Sequence, residues 1–305
     1  MFQRLAVIGM GLIGSSLARA AKASGAAAEI VAYDKSPEAR ETVRRLDLAD
    51  RCEDSAAEAA DGADLIVIAT PIGAIRPVLE KIGPRIARGA IVSDVGSVKE
   101  TVAQAFADLL PDHAIGLPAH PVAGTEQSGP EAGFAELFRD RWCILTPGDA
   151  PAEAEARLRG FWERLGAKVD SMDAAHHDRV LAVTSHLPHL IAYTIVGVAS
   201  DLEQVTEAEV VKYSAGGFRD FTRIAASDPT MWRDIFLGNK DAVLELLGRF
   251  TEDLIALQRA IRWDDGETLH SHFERTRAIR RDVIETGQDT AQPDFGRRVK
   301  DKPSS

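Results

Sequence analysis

Three glycines with the spacing Gly-x-Gly-x-x-Gly constrain the fold of this chain more than any other feature. They follow the short apolar segment at residues 5–8 and precede a helical pattern at residues 15–23. In a strand–turn–helix unit, the first glycine permits a tight turn and the second lets the backbone approach a ligand. The third lets the helix pack closely on the strand, and the helix N-terminus presents free N–H groups to phosphate. We therefore expect a dinucleotide-binding turn formed by Gly9, Gly11, Leu12, Ile13 and Gly14.

Short apolar segments alternate with helical patterns through the first half of the chain. Strands are predicted at residues 5–8, 30–33, 65–69, 90–94, 143–146 and 167–171. This alternation favours right-handed βαβ units and a parallel sheet that is covered on both faces. From residue 172 onward, helical periodicity dominates. The predicted fold is a Rossmann-type, doubly wound parallel sheet at residues 1–171, an all-helical second domain at residues 172–290, and a polar tail at residues 291–305.

Polar residues at three predicted strand ends indicate the cofactor. Asp34 lies 20 residues beyond Gly14, at the end of the second predicted strand. A carboxylate there accepts the ribose hydroxyls and repels a 2′-phosphate, which favours NAD, although the neighbouring Lys35 keeps NADP possible. Ligands bind outside the carboxyl ends of parallel strands, so the later strand ends should also line the cofactor, although both fit ordinary loops. These later strand ends carry Thr70, Pro71 and Asp94.

Composition excludes several classes of protein. The net charge of −11 argues against a protein that binds nucleic-acid phosphate. Cys52 and Cys143 form no CxxC pattern, so neither a disulfide framework nor a structural zinc site is expected. No export signal is expected, because the first residues run directly into a predicted strand. The apolar segment at residues 181–199 contains two histidines and a proline, which favours a buried core helix over a membrane span. We expect a cytoplasmic protein that acts on a small molecule.

The segment at residues 116–129 is rich in glycine, proline and small polar residues, which predicts a loop. It contains His120, and an imidazole titrates near neutral pH, so His120 is a candidate general base. From the residues alone, a single loop histidine is compatible with a catalytic or an unrelated role.

Five segments together resemble the prephenate/arogenate (cyclohexadienyl) dehydrogenase family, and the resemblance extends over residues 4–285. They are HPVAGTE at 120–126, DVGSVK at 94–99, SHLPH at 185–189, GGFRDFTR at 216–223 and DPTMWRD at 228–234. Members of this family convert prephenate to 4-hydroxyphenylpyruvate, or arogenate to tyrosine. They pass a hydride to NAD(P), and carbon dioxide is lost. The resemblance therefore implies an NAD(P)-dependent oxidative decarboxylase of tyrosine biosynthesis.

The resemblance also implies roles for individual residues. His120 would accept the proton of the ring hydroxyl, and Ser97 would form a hydrogen bond with the same hydroxyl. Such a substrate carries two carboxylates, which suit a guanidinium group. The implied substrate contacts come from Arg223 to a carboxylate, from Ser185 and His189 nearby, from Thr125 and Glu126 toward the side chain, and from Trp232 as a pocket wall.

Several of these residues have alternative interpretations. Ser185 and His189 are four residues apart and would share a helix face, so they also fit a polar patch in a core. Trp232 equally fits a core position. Arg219 lies four residues before Arg223, so one arginine could bind substrate and the other a structural carboxylate; the resemblance favours Arg223. The histidine pairs at 176/177 and 186/189 lack the accompanying ligands of a metal site, so no metal is expected.

The same sequence leaves other functions open and also predicts an assembly state. A different hydride-transferring enzyme of this architecture, such as a β-hydroxyacid dehydrogenase or an imine reductase, remains open, as does a non-catalytic dinucleotide sensor. The net charge disfavours a DNA-reading sensor. The helical half is too apolar for an isolated domain, which predicts a homodimer. We expect no fused chorismate mutase and no tyrosine-sensing domain. Prephenate and arogenate stay undistinguished, although Glu126 could pair with the ammonium group of arogenate.

Overall fold

The computed structural model describes residues 1–125, 127–201 and 216–285. A six-stranded parallel sheet forms the first half, with strand order β3-β2-β1-β4-β5-β6. This order is that of a doubly wound dinucleotide-binding fold, so the predicted fold class is confirmed. The strands are β1 (Phe2–Ile8), β2 (Ala27–Tyr33), β3 (Arg51–Cys52), β4 (Leu65–Ile68), β5 (Ile91–Asp94) and β6 (Ile115–Gly116).

Alternating side chains of the central strands build an apolar core on each face of this sheet. Leu5 and Val7 of β1 pack in one cluster, and Ala6 and Ile8 pack in the other. Side chains alternate between faces in a strand, so a continuous apolar run fits a strand that is buried on both sides. The helices that cover the sheet are α1 (Leu12–Ser24), α2 (Pro37–Arg45), α3 (Ala56–Ala60), α4 (Ile75–Ile82) and α5 (Glu100–Leu109).

A second sheet of three strands adjoins the first. It consists of β7 (Ala119–Pro121), β8 (Trp142–Leu145) and β9 (Lys168–Ser171), with α6 (Ala152–Arg164) between the last two. The prediction of a loop at His120 is therefore wrong, because His120 lies in a strand. β7 pairs antiparallel with β8, which places His120 opposite Ile144. The prolines on both sides of His120 resemble loop sequence, but pairing with β8 overrides that local signal.

The second half of the described chain is helical. A long helical segment combines α7 (Ala174–Leu181), a π-helical turn (Ala182–His186) and α8 (Leu187–Asp201). The remaining helices are α9 (Gly216–Thr222), α10 (Pro229–Gly238), α11 (Lys240–Arg262) and α12 (Gly266–Glu285). The predicted polar tail at residues 291–305 lies outside the described residues.

The long helical segment differs from the buried core helix expected at residues 181–199. Its most apolar stretch is only 22% buried within the chain, and Val198 is 54% exposed. By length and composition, Ala174–Asp201 is long and apolar enough to cross a membrane. The expectation of burial was wrong for the isolated chain, because α8 directs much of its apolar surface outward.

Candidate active site

The glycine-rich turn joins β1 to α1, and its three glycines meet different constraints. Gly9 has a φ of 101°, and a Cβ atom there would lie 2.6 Å from the Ala69 carbonyl oxygen. A Cβ atom on Gly14 would lie 1.9 Å from the Gly9 carbonyl oxygen. Packing therefore requires both of these glycines. A Cβ atom on Gly11 would meet no atom of the described part of the chain within 4 Å. The missing side chain of Gly11 leaves an open approach to the backbone, as a bound pyrophosphate needs.

The start of α1 is also available to a ligand. Gly11 is its N-cap residue, and no side chain in residues 1–125, 127–201 or 216–285 caps the helix. Uncapped N–H groups and the positive end of the helix dipole favour a phosphate group. Leu12 is buried and Ile13 is partly buried, so both contribute to packing below the turn, and their backbone lies at the helix start.

Asp34 and Thr70 border the same turn. Asp34 Oδ2 accepts the N–H of Met10 at 2.8 Å, and its Oδ1 accepts the N–H of Ser36 at 2.9 Å. The carboxylate is partly exposed and has lone pairs left for ribose hydroxyls. The methyl carbon of Thr70 lies 3.0 Å from the position of a Cβ on Gly9. Its buried hydroxyl has no hydrogen-bond partner among the described residues. Pro71 directly follows Thr70. The donor and acceptor set at this turn therefore fits a dinucleotide.

Asp94, at the end of β5, is fully buried together with Lys99. The Lys99 ammonium lies 2.5 Å from Asp94 Oδ2 and donates to the Ala119 carbonyl oxygen at 2.8 Å. Asp94 also accepts the N–H groups of Gly96 and Ala119. Burial raises the pKa of Asp94 and lowers that of Lys99, and the ion pair opposes both shifts. The Asp94 side chain therefore anchors β7, and any contact with a cofactor would fall to the backbone of its loop.

His120 is buried on β7 and belongs to a chain of three side chains. Its Nδ1 lies 2.9 Å from Nε2 of His177, and His177 Nδ1 lies 2.8 Å from Oδ1 of Asp178. Burial is the main cause that holds the pKa of His120 well below its ordinary value, and smaller effects in the same direction come from His177, Lys99 and His186. The imidazole is therefore neutral near pH 7 and available as a proton acceptor.

Residues of the helical half form an adjoining wall. The rings of His189 and Trp232 stack with centroids 3.7 Å apart and planes 24° apart, and Trp232 also packs against Val98. His189 Nδ1 lies 2.9 Å from the Ser185 carbonyl oxygen. Burial lowers the pKa of His189, and the Arg223 guanidinium lowers it further. Ser185 belongs to the π-helical turn, a distortion that is frequent at functional sites.

The loop that carries Ser97 lies between these two groups. Ser97 directly precedes Val98, which packs on Trp232. Burial lowers the pKa of His186 to about 4, although the Ser97 backbone opposes that shift. The structure thus brings Ser97 and the His120 chain to the seam between the sheet and the helices. On the helical side of this seam, Asn239 joins two helices, since its Nδ2 donates to the Asp178 carbonyl oxygen at 2.7 Å.

Two predicted substrate residues are less closely tied to this group. Thr125 is partly exposed, and its Oγ1 accepts the N–H of Gln127 at 3.2 Å, a contact within its own loop. Glu126 lies outside the described residues. A cleft of about 310 Å³ lies elsewhere, lined among others by Ile72, Val102 and Leu237. That cleft includes none of the predicted site residues.

Sequence reasoning missed three buried residues around His120, namely Lys99, His177 and Asp178. Lys99 lies inside the DVGSVK segment without an implied role, and the spacing of His177 suggests only a metal ligand. Asp178 follows His177 directly, and nothing in their spacing relates them to His120, which lies 57 residues earlier. Only the contact of α7 with the sheet half brings them together, so no local sequence pattern could have revealed the hydrogen bonds between His120, His177 and Asp178.

Comparison with known proteins places the whole chain in one family. A model described as the nucleotide-binding domain of prephenate dehydrogenase matches residues 17–171, and one described as its dimerization domain matches residues 173–275. A cyclohexadienyl dehydrogenase from Zymomonas mobilis is 45% identical over 281 residues, which are 92% of this chain and 96% of that protein. A prephenate dehydrogenase from Bacillus subtilis is 32% identical over 297 residues, 97% of this chain and 80% of that protein.

Solved structures show the same similarity. The crystal structure of prephenate dehydrogenase from Aquifex aeolicus, in complex with hydroxyphenyl propionate and NAD+, superposes with a TM-score of 0.85 at 32% sequence identity. The superposition covers 93% of this chain and 99% of the other. With family models over both halves and relatives above 30% identity along nearly its full length, the chain belongs to the prephenate dehydrogenase family.

Proposed function

We propose that this protein is an NAD-dependent dehydrogenase that oxidatively decarboxylates prephenate, arogenate or both, to 4-hydroxyphenylpyruvate or tyrosine. The observation that carries this proposal is the neutral, buried His120 at the seam between the sheet and the helices, whose helical side carries the His189–Trp232 wall. The similar Aquifex protein was crystallised with NAD+ and a hydroxyphenyl compound, and the 45% identical relative is a cyclohexadienyl dehydrogenase. Both agree with a site for a substituted six-membered ring.

The sheet half would hold the dinucleotide. The backbone of Gly9, Gly11, Leu12, Ile13 and Gly14 would receive the pyrophosphate, and Asp34 would accept the ribose hydroxyls, which favours NAD over NADP. The unpartnered hydroxyl of Thr70, with Pro71 and the backbone of the Asp94 loop, would line the remaining cofactor surface. When bound, the nicotinamide supplies the acceptor for the hydride that leaves the substrate.

The chain's own residues would manage the proton and the carboxylates. His120 takes the proton of the ring hydroxyl as that carbon is oxidised, and Ser97 forms a hydrogen bond with the same oxygen. The bond to the ring carboxylate then breaks, carbon dioxide leaves, and the bonding electrons complete the aromatic ring. Aromatisation drives this step, so no second acid or base is needed.

Side chains of the helical half would bind the rest of the substrate. Arg223 would pair with a carboxylate, with His189 and Ser185 beside it, because a guanidinium group binds and orients a carboxylate through two hydrogen bonds. Trp232 would wall the pocket. Thr125 and Glu126 would face the substrate side chain, where a carboxylate at position 126 would favour the ammonium group of arogenate over the ketone of prephenate.

The test is the formation of NADH when purified protein is mixed with each substrate. Absorbance at the nicotinamide band should rise with NAD and either prephenate or arogenate, and the ratio of kcat/KM values gives the preferred substrate. A parallel measurement with NADP tests the role of Asp34, and NAD should be preferred. Absence of turnover with both substrates and both cofactors would refute the proposed activity.

We also propose that the domains meet near residue 172 and that the helical half joins two copies of the chain. Ile195, Val198, Leu254, Ile255 and Phe273 are exposed large apolar side chains in this half. The matching family model is described as a dimerization domain. A second copy would cover this surface, rather than a lipid bilayer, and would leave a cytoplasmic homodimer. The acidic net charge supports the absence of a nucleic-acid partner.

A further inference from the structure

Asp178 joins the two halves of the protein through its carboxylate. It lies in α7 of the helical half, yet its Oδ1 accepts the N–H of Lys99 at 2.7 Å and its Oδ2 accepts the N–H of Glu100 at 3.0 Å. Lys99 is the N-cap residue of α5 and Glu100 is its first residue, and the Lys99 side chain makes no capping hydrogen bond. A helix N-terminus prefers a carboxylate at this position. The Asp178 side chain therefore caps the N-terminus of a helix in the other half.

The same carboxylate also holds a histidine ring. His177 and Asp178 are 0% and 1% exposed, and His177 Nδ1 lies 2.8 Å from Asp178 Oδ1. An ionised carboxylate can only accept hydrogen bonds, so Nδ1 of His177 must carry a proton. Burial lowers the pKa of His177, so its ring is neutral and its Nε2 is bare. Nδ1 of His120, at 2.9 Å from that Nε2, must then be the donor.

We propose that Asp178 and His177 are positioning residues that lock His120 into the tautomer whose Nε2 is free to accept a proton, and that docking of the helical half on α5 sets this lock. The inference rests on the proposed function only for its kinetic consequence. Without the hydrogen bonds from His120 to His177 and from His177 to Asp178, either nitrogen of a neutral imidazole can carry the proton. With these hydrogen bonds in place, the nitrogen away from His177 is always the base.

The charges around this chain set its pH response. His177, Lys99 and His186 each lower the pKa of His120. Asp178 and Asp94 raise the pKa of His177. Asp178 is the anion among the three hydrogen-bonded side chains, and it acts on the His120 imidazolium through His177. Its removal should lower the pKa of His120 further, and the acid limb of kcat/KM should move to lower pH.

The first experiment compares Asp178→Asn with Asp173→Asn. Asp173 caps α7, the helix that contains Asp178, by accepting the N–H groups of Ala175 and His176. Its replacement makes the same chemical change in a helix cap whose donors are these two residues. For Asp178→Asn, kcat should fall by about tenfold or more with KM nearly unchanged, and the acid limb should move down. Asp173→Asn should change neither. Equal effects of the two variants would overturn the proposal.

The second experiment keeps the test independent of turnover. In protein labelled with ¹⁵N-histidine, the nitrogen chemical shifts should show His120 protonated at Nδ1 and bare at Nε2, and this pattern should disappear in His177→Leu. His177→Gln offers an acceptor oxygen to His120 and should retain more activity than His177→Leu. A wild-type spectrum with the opposite His120 tautomer would refute the lock, even if prephenate were oxidised. The expected spectrum without any turnover would refute the proposed function alone.

Discussion

At His120, burial and hydrogen bonding act on the same ring. Burial removes the charged form near neutral pH, and the contact with His177 occupies Nδ1. The residue type could be selected from sequence, because a histidine in the HPVAGTE segment fits both general-base chemistry and the family resemblance. Its environment could not, because Lys99, His177 and His186 come from three separate segments that only the tertiary structure assembles.

Replacement of His120 by asparagine should remove turnover without removing cofactor binding. An amide cannot take up the hydroxyl proton, so kcat should fall by roughly 10²–10⁴-fold, the usual contribution of a general base. Affinity for NAD, measured by calorimetric titration, should be nearly unchanged. His113→Asn is the matched control, since His113 Nε2 contacts the Ile86 carbonyl oxygen in the sheet half. Loss of activity and NAD binding together would contradict this role.

The buried histidines should also make the protein less stable in mild acid. Burial lowers the pKa of His186 from 6.5 to about 4, and it lowers the pKa values of His120 and His177 as well. Below pH 6.5 these histidines bind protons in the unfolded chain but not in the folded chain. Their contribution to the free energy of unfolding is therefore complete above pH 6.5 and is lost as the pH falls toward 4.

Urea denaturation between pH 7.5 and pH 5 measures this effect. The free energy of unfolding should decrease by up to about 1.4 kcal/mol per pH unit for each such histidine. In His186→Asn, the decrease between pH 6.5 and pH 5 should be smaller than in the wild type. An unchanged slope would show that His186 is not held neutral in the folded state.

Among the elements, long apolar strands and helices could be predicted from sequence, but short ones could not. Residues 65–68 form β4 close to the predicted limits, because a continuous apolar run fits a strand buried on both faces. The two-residue strands at Arg51–Cys52 and Ile115–Gly116 lack enough length for a period to be visible. The sequence pattern does not reveal β7, because Pro118 before the strand and Pro121 at its end suggest a loop. The π-helical turn has no signature within the long helical pattern.

The strand–turn–helix element makes a prediction that separates folding from binding. In Gly14→Ala the new Cβ would lie 1.9 Å from a backbone oxygen, so the protein should lose about 1–3 kcal/mol of stability. In Gly11→Ala the new Cβ meets nothing, so the melting temperature should stay near that of the wild type while NAD affinity falls. Both quantities are measurable by thermal melting with and without NAD.

The control for these glycine variants is Gly160→Ala. Gly160 lies in α6 and not in the dinucleotide turn, and a Cβ atom there also meets none of the described atoms within 4 Å. This variant should not lower the stability of the protein, and its affinity for NAD should be that of the wild type. If Gly11→Ala bound NAD as tightly as Gly160→Ala does, the assignment of this turn to the pyrophosphate would be wrong.

For the whole molecule, the exposed apolar helices predict association. Sedimentation at micromolar concentration should give a dimer, because Ile195, Val198 and Ile255 leave an apolar surface that an isolated chain exposes to water. Val198→Lys should shift the distribution toward the monomer, since an ammonium group would be buried without a partner. Glu41→Lys, on the exposed face of α2, introduces the same side chain and should leave the dimer intact. A monomeric wild-type protein would contradict the proposed assembly.

The cap that Asp178 provides for α5 limits how this protein can be divided. A cut near residue 172 would leave the first backbone donors of α5 facing solvent and would separate His120 from the ring that orients it. The two halves are therefore not exchangeable modules. A chimera that joins this sheet half to the helical half of a relative should become active only if the donor supplies a histidine–aspartate pair in register with positions 177 and 178. Separately produced fragments should regain catalysis only when they reassociate.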